Sequence, residues 1–259
     1  MFLVVVQQYM LKKKPDLLLL PGLMCDYSLW DYMVEDLYEI GNIHFGDLSE
    51  GQTIDSIAKK ILKSAPREFC LIGFSLGGYV ANAITRIAPN RVTFLILINT
   101  SSRASTDWEI DRNSKTIQTI NATSFRGLSS FSISNSIDSN NKYRESIIKH
   151  IQIMSERLGK AVFLRQLSLI RTNTFNELKN IRCPALVVTS DNDRLRSRKE
   201  AEELVNCIPD AKLAIINNCG HMTPLERPQE LSHIIQSWLL EQQKHVFSKT
   251  IRKGGSKVK

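Results

Sequence analysis

The sequence predicts an α/β protein with a mostly parallel central sheet, helices on both faces of that sheet, and one inserted helical segment. Short apolar runs bounded by Gly, Pro or Asn recur along the chain, and such runs are typical of strands that are buried on both faces. Amphipathic helical patterns lie between these runs, and this alternation indicates a parallel sheet. Residues 101–180 break the alternation.

Each element is predicted from its own local pattern. The final predicted helix, for example, has apolar residues at steps of three and four positions, which places them on one helix face. The predicted strands are 17–20, 69–72, 94–98, 185–188 and 213–216, and the predicted helices of the α/β part are 53–64, 76–88, Arg198–Cys207 and 228–243.

Residues 101–180 contain Ser- and Asn-rich turns and helical patterns, such as 143–158, but no convincing strand. Because the connections in α/β units usually take about 2–6 residues, we interpret this segment as a helical lid inserted over one end of the sheet. The predicted organisation is therefore an α/β core of residues 1–100 and 181–243, a lid of residues 101–180, and a basic flexible tail of residues 244–259.

Composition excludes several protein classes. Hydrophobic residues make up 42% of the chain and charged residues 23%, which is typical of a globular protein. Most of the net charge of +8 comes from the basic residues of 244–259, so no nucleic-acid partner is expected. The apolar run 2–6 is too short to span a membrane and indicates a strand or a slightly mis-set start of the sequence. Five scattered cysteines without a Cys-x-x-Cys pair favour reduced thiols and a cytoplasmic protein.

The candidate nucleophile is Ser75, in the sequence Gly73-Phe74-Ser75-Leu76-Gly77. This Gly-x-Ser-x-Gly pattern follows a predicted strand and opens a predicted helix. A serine on such a tight turn projects its hydroxyl above the sheet, and the glycines avoid collisions across the turn. A structural glycine-rich turn in which the serine only caps the helix is the alternative interpretation.

His221 is the candidate base that a serine hydroxyl needs. It lies in a loop just after the predicted strand 213–216, at the sheet edge where open α/β folds place their chemistry. The other four histidines occupy different settings: His44 a predicted loop, His150 the lid, His233 the last helix and His245 the basic tail.

A carboxylate is required to orient the imidazole and to stabilise its cation. Asp191 and Asp193 both follow the predicted strand 185–188 and both qualify, although aspartates in such turns often only bond to the local backbone. An oxyanion hole needs two N–H donors. We nominate the backbone N–H groups of Leu76, which follows the nucleophile, and Leu23, which follows the Pro21-Gly22 turn.

Together these residues resemble the α/β-hydrolase superfamily, in which the nucleophile, acid and histidine follow in that chain order. The family's usual early loop reads His-Gly, and here Pro21 replaces the histidine. In the family the strand before the acid usually ends Gly-x-x-Asp; Ser190 stands at the glycine position, so the resemblance puts the acid at Asp193. Some members carry the acid one strand earlier, where this chain has Asn99, which cannot be an anionic acid. The matching motifs are 20–23, 73–78, 183–193 and 220–228.

In size and lid placement the chain is similar to small bacterial carboxylesterases. The resemblance implies a serine hydrolase that cleaves a carboxylic ester or thioester of a small molecule through an acyl-serine. Two alternatives stay open: carbon–carbon bond hydrolysis or elimination by the same residues, and a non-catalytic small-molecule-binding protein. The sequence shows no metal-ligand cluster and no dinucleotide fingerprint, so no cofactor is expected. It leaves open whether the protein is a monomer or a dimer.

Overall fold

The computed structural model describes residues 14–254. Its six strands are β1 (Asp16–Leu20), β2 (Asn42–Phe45), β3 (Phe69–Phe74), β4 (Val92–Ile98), β5 (Ala185–Ser190) and β6 (Lys212–Ile216). They form one sheet in the order β2-β1-β3-β4-β5-β6, and every neighbouring pair is parallel. The predicted α/β fold is therefore confirmed. The predicted run 2–6 lies outside the described residues.

The sheet is buried on both faces, which explains the continuous apolar runs. Every residue of β3 and β5 is buried. In β1, Leu17 and Leu19 join the apolar cluster on one face, whereas Leu18 and Leu20 join the cluster on the other. Each fully buried leucine contributes about 1.5–3 kcal/mol to the free energy of unfolding, and these runs therefore stabilise the layered arrangement.

Strand β2 was not predicted, and the placement of His44 in a loop is wrong. His44 lies within β2, opposite Leu18 of β1. The strand has only four residues and lies at the edge of the sheet, so none of them is fully buried. An edge strand of this kind lacks the apolar run that identified the other five, since its backbone pairing, and not its side chains, holds it in place.

Helices cover both faces of the sheet. Several begin with a reciprocal cap between a Ser or Thr side chain and the third helical residue, such as Thr53 with Ser56 and Ser197 with Glu200. The helices are α1 (Val34–Ile40), α2 (Ile54–Ser64), α3 (Leu76–Ile87), α4 (Asp107–Asn121), α5 (Ser130–Ser134), α6 (Arg144–Leu167), α7 (Phe175–Leu178), α8 (Arg198–Cys207), α9 (Thr223–Glu226) and α10 (Pro228–Gly254).

The chain between β4 and β5 forms the helices α4 to α7, and α6 bends at Gly159, where φ is 78°. An ion-pair cluster joins the two ends of this insertion. Arg103 at its start and Arg171 at its end each approach Glu109 of α4 to 2.8 Å, and Arg103 also binds Glu200 of α8 at 2.8 Å. The insertion is thereby tied both to itself and to the helix that follows β5.

The C-terminal helix is longer than predicted. Helix α10 continues to Gly254, whereas the sequence pattern placed its end at residue 243. The apolar stripe stops there, but no Gly or Pro interrupts the chain before Gly254, so the helical backbone continues. Residues 255–259 of the predicted tail lie outside the described part of the chain. Between residues 14 and 254, no helix is long and apolar enough to cross a membrane.

Candidate active site

Ser75 lies between β3 and α3 in a strained backbone conformation, with φ of 51°. Its N–H donates to the Ile98 carbonyl at 2.9 Å, which ties the turn to β4. The flanking glycines make this turn possible. A Cβ on Gly73 would come within 2.6 Å of the Gly77 carbonyl oxygen, and a Cβ on Gly77 would overlap the Leu20 carbonyl oxygen. Only glycine therefore fits at the positions two residues before and two residues after Ser75.

His221 reaches Ser75 from the loop that joins β6 to α9. Its Nε2 is 2.8 Å from the Ser75 Oγ, and its ring lies 5.1 Å from the Phe74 ring, measured between centroids. The residue is only 4% exposed. Its backbone N–H donates to the Ser136 carbonyl at 2.7 Å, so the inserted segment holds the histidine loop directly.

Asp193 lies on the other side of the imidazole. Its Oδ2 is 2.7 Å from the His221 Nδ1, and its Oδ1 accepts the N–H groups of Leu195 and Arg196 at 2.7 and 2.9 Å. Burial raises the pKa of Asp193, but the adjacent His221 ring and the two N–H groups lower it by more. The pKa therefore lies below its ordinary value of 3.8. The carboxylate is therefore ionised at neutral pH.

Asp191 takes a different position. Its Oδ2 accepts the Asn218 N–H at 3.0 Å, and its Oδ1 accepts the Cys219 N–H at 3.2 Å. It thus supports the backbone of the histidine loop, as aspartates in turns often do. Of the two candidate acids, the structure brings Asp193 and not Asp191 to the His221 ring.

The Pro21-Gly22-Leu23 turn lies against the nucleophile. A Cβ on Gly22 would lie 2.8 Å from the Phe74 ring and 3.4 Å from the Ser75 Cβ. Among the described residues, neither the Leu23 N–H nor the Leu76 N–H has a hydrogen-bond partner. Two free backbone donors in the segments that flank Ser75 are what an oxyanion hole requires.

Glu226 is a site residue to which the sequence analysis gave no role. This buried carboxylate accepts the N–H groups of Asp138, Gly220 and Met222 at 2.9, 3.1 and 3.1 Å, and so joins the insertion to the histidine loop. Burial raises its pKa above the ordinary value of 4.5, although these N–H groups lower it in part. The sequence shows only an acid in a Pro-bounded turn five residues after the candidate base. The burial that makes hydrogen-bond partners necessary is visible in the structure alone.

The other histidines lie elsewhere. The His44 Nε2 is 2.9 Å from Asp16 at the sheet edge, and the His150 ring is 2.9 Å from the Ser28 carbonyl. No group of three or more His, Cys, Asp or Glu side chains within the described chain is arranged to hold a metal ion. At the candidate site, the Ser75 hydroxyl, the His221 imidazole and the Asp193 carboxylate are in contact.

A parallel sheet with a serine on the turn between a central strand and its helix defines a hydrolase of the α/β class. Comparison with known families agrees. The family model described as "Serine aminopeptidase, S33" matches residues 48–228, well over half of the chain, and the chain belongs to this family.

Curated relatives include esterases and lipases. The chain is 26% identical, over 83% of its length and 92% of the relative, to the pimeloyl-[acyl-carrier protein] methyl ester esterase of Nitrosomonas europaea. It is 24% identical to the bovine monoacylglycerol lipase ABHD6, over 87% of the chain and 75% of the lipase. The protein is accordingly a hydrolase, and its relatives support ester hydrolysis.

Solved structures share the fold. The enol-lactonase from Burkholderia xenovorans matches with a TM-score of 0.76 at 19% identity, covering 88% of this chain and 92% of that one. A thermophilic esterase from Thermogutta terrifontis matches with a TM-score of 0.74 at 21% identity, covering 88% of this chain and 90% of that one. These likenesses confirm the α/β-hydrolase fold.

Proposed function

We propose that the protein hydrolyses a carboxylic ester or thioester of a small molecule through an acyl-serine intermediate. Ser75 is the nucleophile, His221 the general base and Asp193 the acid that orients it. The observation that carries this proposal is the continuous contact from the Ser75 Oγ through the His221 ring to the Asp193 Oδ2, at 2.8 and 2.7 Å. A serine that only capped a helix would need no histidine and carboxylate hydrogen-bonded in series behind it.

In the first half of the reaction, the His221 Nε2 takes the proton of Ser75 as its Oγ attacks the acyl carbon. The carbonyl oxygen becomes an oxyanion, which the N–H groups of Leu23 and Leu76 stabilise. His221 then gives its proton to the departing alcohol or thiol. In the second half, His221 removes a proton from water, the hydroxide attacks the acyl-serine, and the proton returns to Ser75.

Asp193 serves both halves of the reaction. The lowered pKa keeps it anionic, so that it accepts the His221 Nδ1–H and leaves Nε2 free to act as a base. The same negative charge stabilises the imidazolium that forms when Ser75 attacks. Two further N–H donors on Oδ1 hold the carboxylate in place.

For the substrate, we infer an ester with an apolar portion. Met24, which follows the Leu23 donor, packs in an apolar cluster with Phe163 and Leu167 of α6. The Met24 N–H also donates to the Gln166 side chain at 2.8 Å, so helix α6 is attached to the proposed oxyanion loop. Residues 101–180 would then act as a lid over the acyl site. The names of the curated esterase relatives specify a pimeloyl-[acyl-carrier protein] methyl ester, whose pimeloyl chain is compatible with an apolar acyl site.

We also propose that the protein works in the cytoplasm. All five of its cysteines are free thiols in the structure: Cys25, Cys70, Cys183, Cys207 and Cys219. Burial is the main reason that the pKa values of Cys25 and Cys219 rise to about 12, so neither competes with Ser75 as an anionic nucleophile. A chain of this size needs no disulfide to be stable.

The test is Ser75→Ala, with activity measured on p-nitrophenyl esters of increasing acyl length. We expect hydrolysis to fall by roughly 10³-fold or more and labelling by a fluorophosphonate to disappear, while the circular dichroism spectrum stays that of the wild type. Full activity or continued labelling in the variant would contradict the role of Ser75. Mass spectrometry of wild type trapped with substrate distinguishes the alternatives, because elimination would leave no acyl group on Ser75.

A further inference from the structure

Asn99 follows the last residue of β4 and lies beside the proposed catalytic residues. It has a φ of 45°, in the left-handed region that asparagine tolerates better than most residues. Only 1% of its surface is exposed. Its backbone N–H donates to the Val188 carbonyl of β5 at 2.9 Å. The side chain therefore has no access to water and must find its hydrogen-bond partners inside the protein.

Those partners belong to both loops that carry the proposed base and acid. The Asn99 Nδ2 lies 2.9 Å from the Asp193 Oδ2, 2.9 Å from the Ser190 Oγ and 3.1 Å from the His221 carbonyl oxygen. The Asn99 Oδ1 accepts the Thr223 hydroxyl at 3.2 Å. One side chain thus bridges the ends of β4 and β5 and the histidine loop.

An amide suits this position for a specific reason. The Asp193 Oδ2 accepts a hydrogen bond from the His221 Nδ1–H, and the Asn99 amide gives that oxygen a second, neutral donor. An aspartate at position 99 would instead put a second carboxylate beside the first and raise the negative potential at the imidazole. An apolar residue would leave the Asp193 oxygen and the Thr223 hydroxyl each with one partner fewer.

We propose that Asn99 is a positioning residue for the reaction. Its amide holds the Asp193 carboxylate against the His221 ring. The amide N–H also reduces the negative electrostatic potential at the imidazole. This inference rests on the proposed function for its kinetic readout, but not for its spectroscopic one.

The ionisable groups around this cluster limit how a change at position 99 can act. Asp193 and His221 belong to the cluster itself. Asp191 accepts the backbone N–H groups of Asn218 and Cys219 in the histidine loop. Glu226 accepts those of Gly220 and Met222 in the same loop. Neither carboxylate is in hydrogen-bond contact with the Asn99 side chain.

Two substitutions separate positioning from simple support of the fold. Asn99→Gly tolerates the positive φ but removes the amide. Asn99→Asp keeps the size and the tolerance of φ but replaces the donor with a charge. We expect Asn99→Gly to lower kcat on an activated ester by roughly 10- to 100-fold, the effect of a lost hydrogen bond to a charged group, with little change in KM.

In Asn99→Asp, the acidic limb of the pH profile of kcat/KM should move to higher pH by about half a unit or more, because added negative charge stabilises the imidazolium. Thr223→Val is the matched control. It breaks the same network without touching Asp193, and should leave the acidic limb where it is. Two results would overturn the proposal. One is an equal loss of kcat in Asn99→Gly and Asn99→Asp with the acidic limb unmoved. The other is a shift of the acidic limb in Thr223→Val as large as that in Asn99→Asp.

A second readout does not depend on turnover. Proton NMR of the folded protein reports the low-field signal of the His221 Nδ1–H, which senses its bond to Asp193. We expect this signal to shift in both Asn99 variants and to stay within the wild-type range in Thr223→Val. If ester hydrolysis fails for all proteins including wild type, the proposed function is wrong, and this spectrum still decides whether Asn99 positions the carboxylate. An unchanged signal in both variants would refute the positioning role.

Discussion

Two buried carboxylates, Asp193 and Glu226, both bind the loop that carries His221, and their pKa values move in opposite directions. Both lose hydration, and both accept backbone N–H groups. Burial prevails at Glu226, whose pKa is raised. At Asp193 the His221 ring reverses the outcome, and the pKa is lowered.

The difference shows what each kind of partner does. Backbone N–H groups satisfy a buried carboxylate and fix its geometry, but those around Glu226 do not fully offset the cost of burying its charge. A group that can carry positive charge does offset that cost, and it couples the carboxylate to chemistry. We therefore expect changes at Asp193 to act mainly on catalysis and changes at Glu226 to act mainly on the stability of the loop.

The largest expected effect is that of Asp193→Asn. Loss of the charge removes the stabilisation of the imidazolium and allows the wrong tautomer, so kcat should fall by roughly 10³- to 10⁴-fold. Asp191→Asn is the matched control: its acceptor bonds support the loop backbone, and kcat should change by about tenfold or less. Steady-state kinetics on one activated ester measure both kcat values. A larger loss of kcat in Asp191→Asn than in Asp193→Asn would assign the role of the acid to Asp191.

An intermediate effect is expected for Glu226→Gln. The new NH₂ group would face at least one of the N–H groups that the carboxylate accepts, so the free energy of unfolding should fall by about 2–3 kcal/mol. Urea denaturation measures this loss, and kcat of the folded fraction should decrease far less than in Asp193→Asn. A variant as stable as the wild type but as inactive as Asp193→Asn would break the distinction between the two carboxylates.

The smallest effect concerns how stability depends on pH. The pKa of Asp193 is below 3.8 in the folded state, so its contribution is present above that pH and is lost as the pH falls through the folded value. The pKa of Glu226 is above 4.5, so its contribution is present below that pH and is lost as the pH rises through the folded value.

The stability difference between wild type and Asp193→Asn should therefore shrink below about pH 4, whereas that between wild type and Glu226→Gln should shrink as the pH rises above about 4.5. Urea denaturation of the three proteins from pH 3 to pH 7 gives both slopes. Slopes of the same sign would show that the two carboxylates do not differ in the way described.

Prediction from sequence succeeded where one element carried its own signal. Strands β3 and β5 were found because burial on both faces forces continuous apolar runs. The edge strand β2 was missed because it is short and partly exposed. The end of α10 was misplaced because the apolar stripe reports burial of a helix and not the extent of its backbone.

The same division holds for the candidate site. Ser75 and His221 could be selected from local pattern, since a strand–turn–helix glycine motif and a histidine after the last strand are each visible within about ten residues. Asp191 and Asp193 are two positions apart in one turn, and nothing local separates them; the family resemblance favoured Asp193. The roles of Asn99 and Glu226 depend on partners more than eighty residues away, such as Asp193 for Asn99 and Asp138 for Glu226.

Hydrophobic patterning and turn chemistry are local properties, so the sequence alone predicted the α/β class, most strands, a candidate nucleophile and a candidate base. Hydrogen bonds between distant loops depend on how the strands are ordered in the sheet and on how far each loop extends. Folding therefore had to decide which carboxylate faces the imidazole, which amide supports that carboxylate, and how the insertion attaches to the histidine loop.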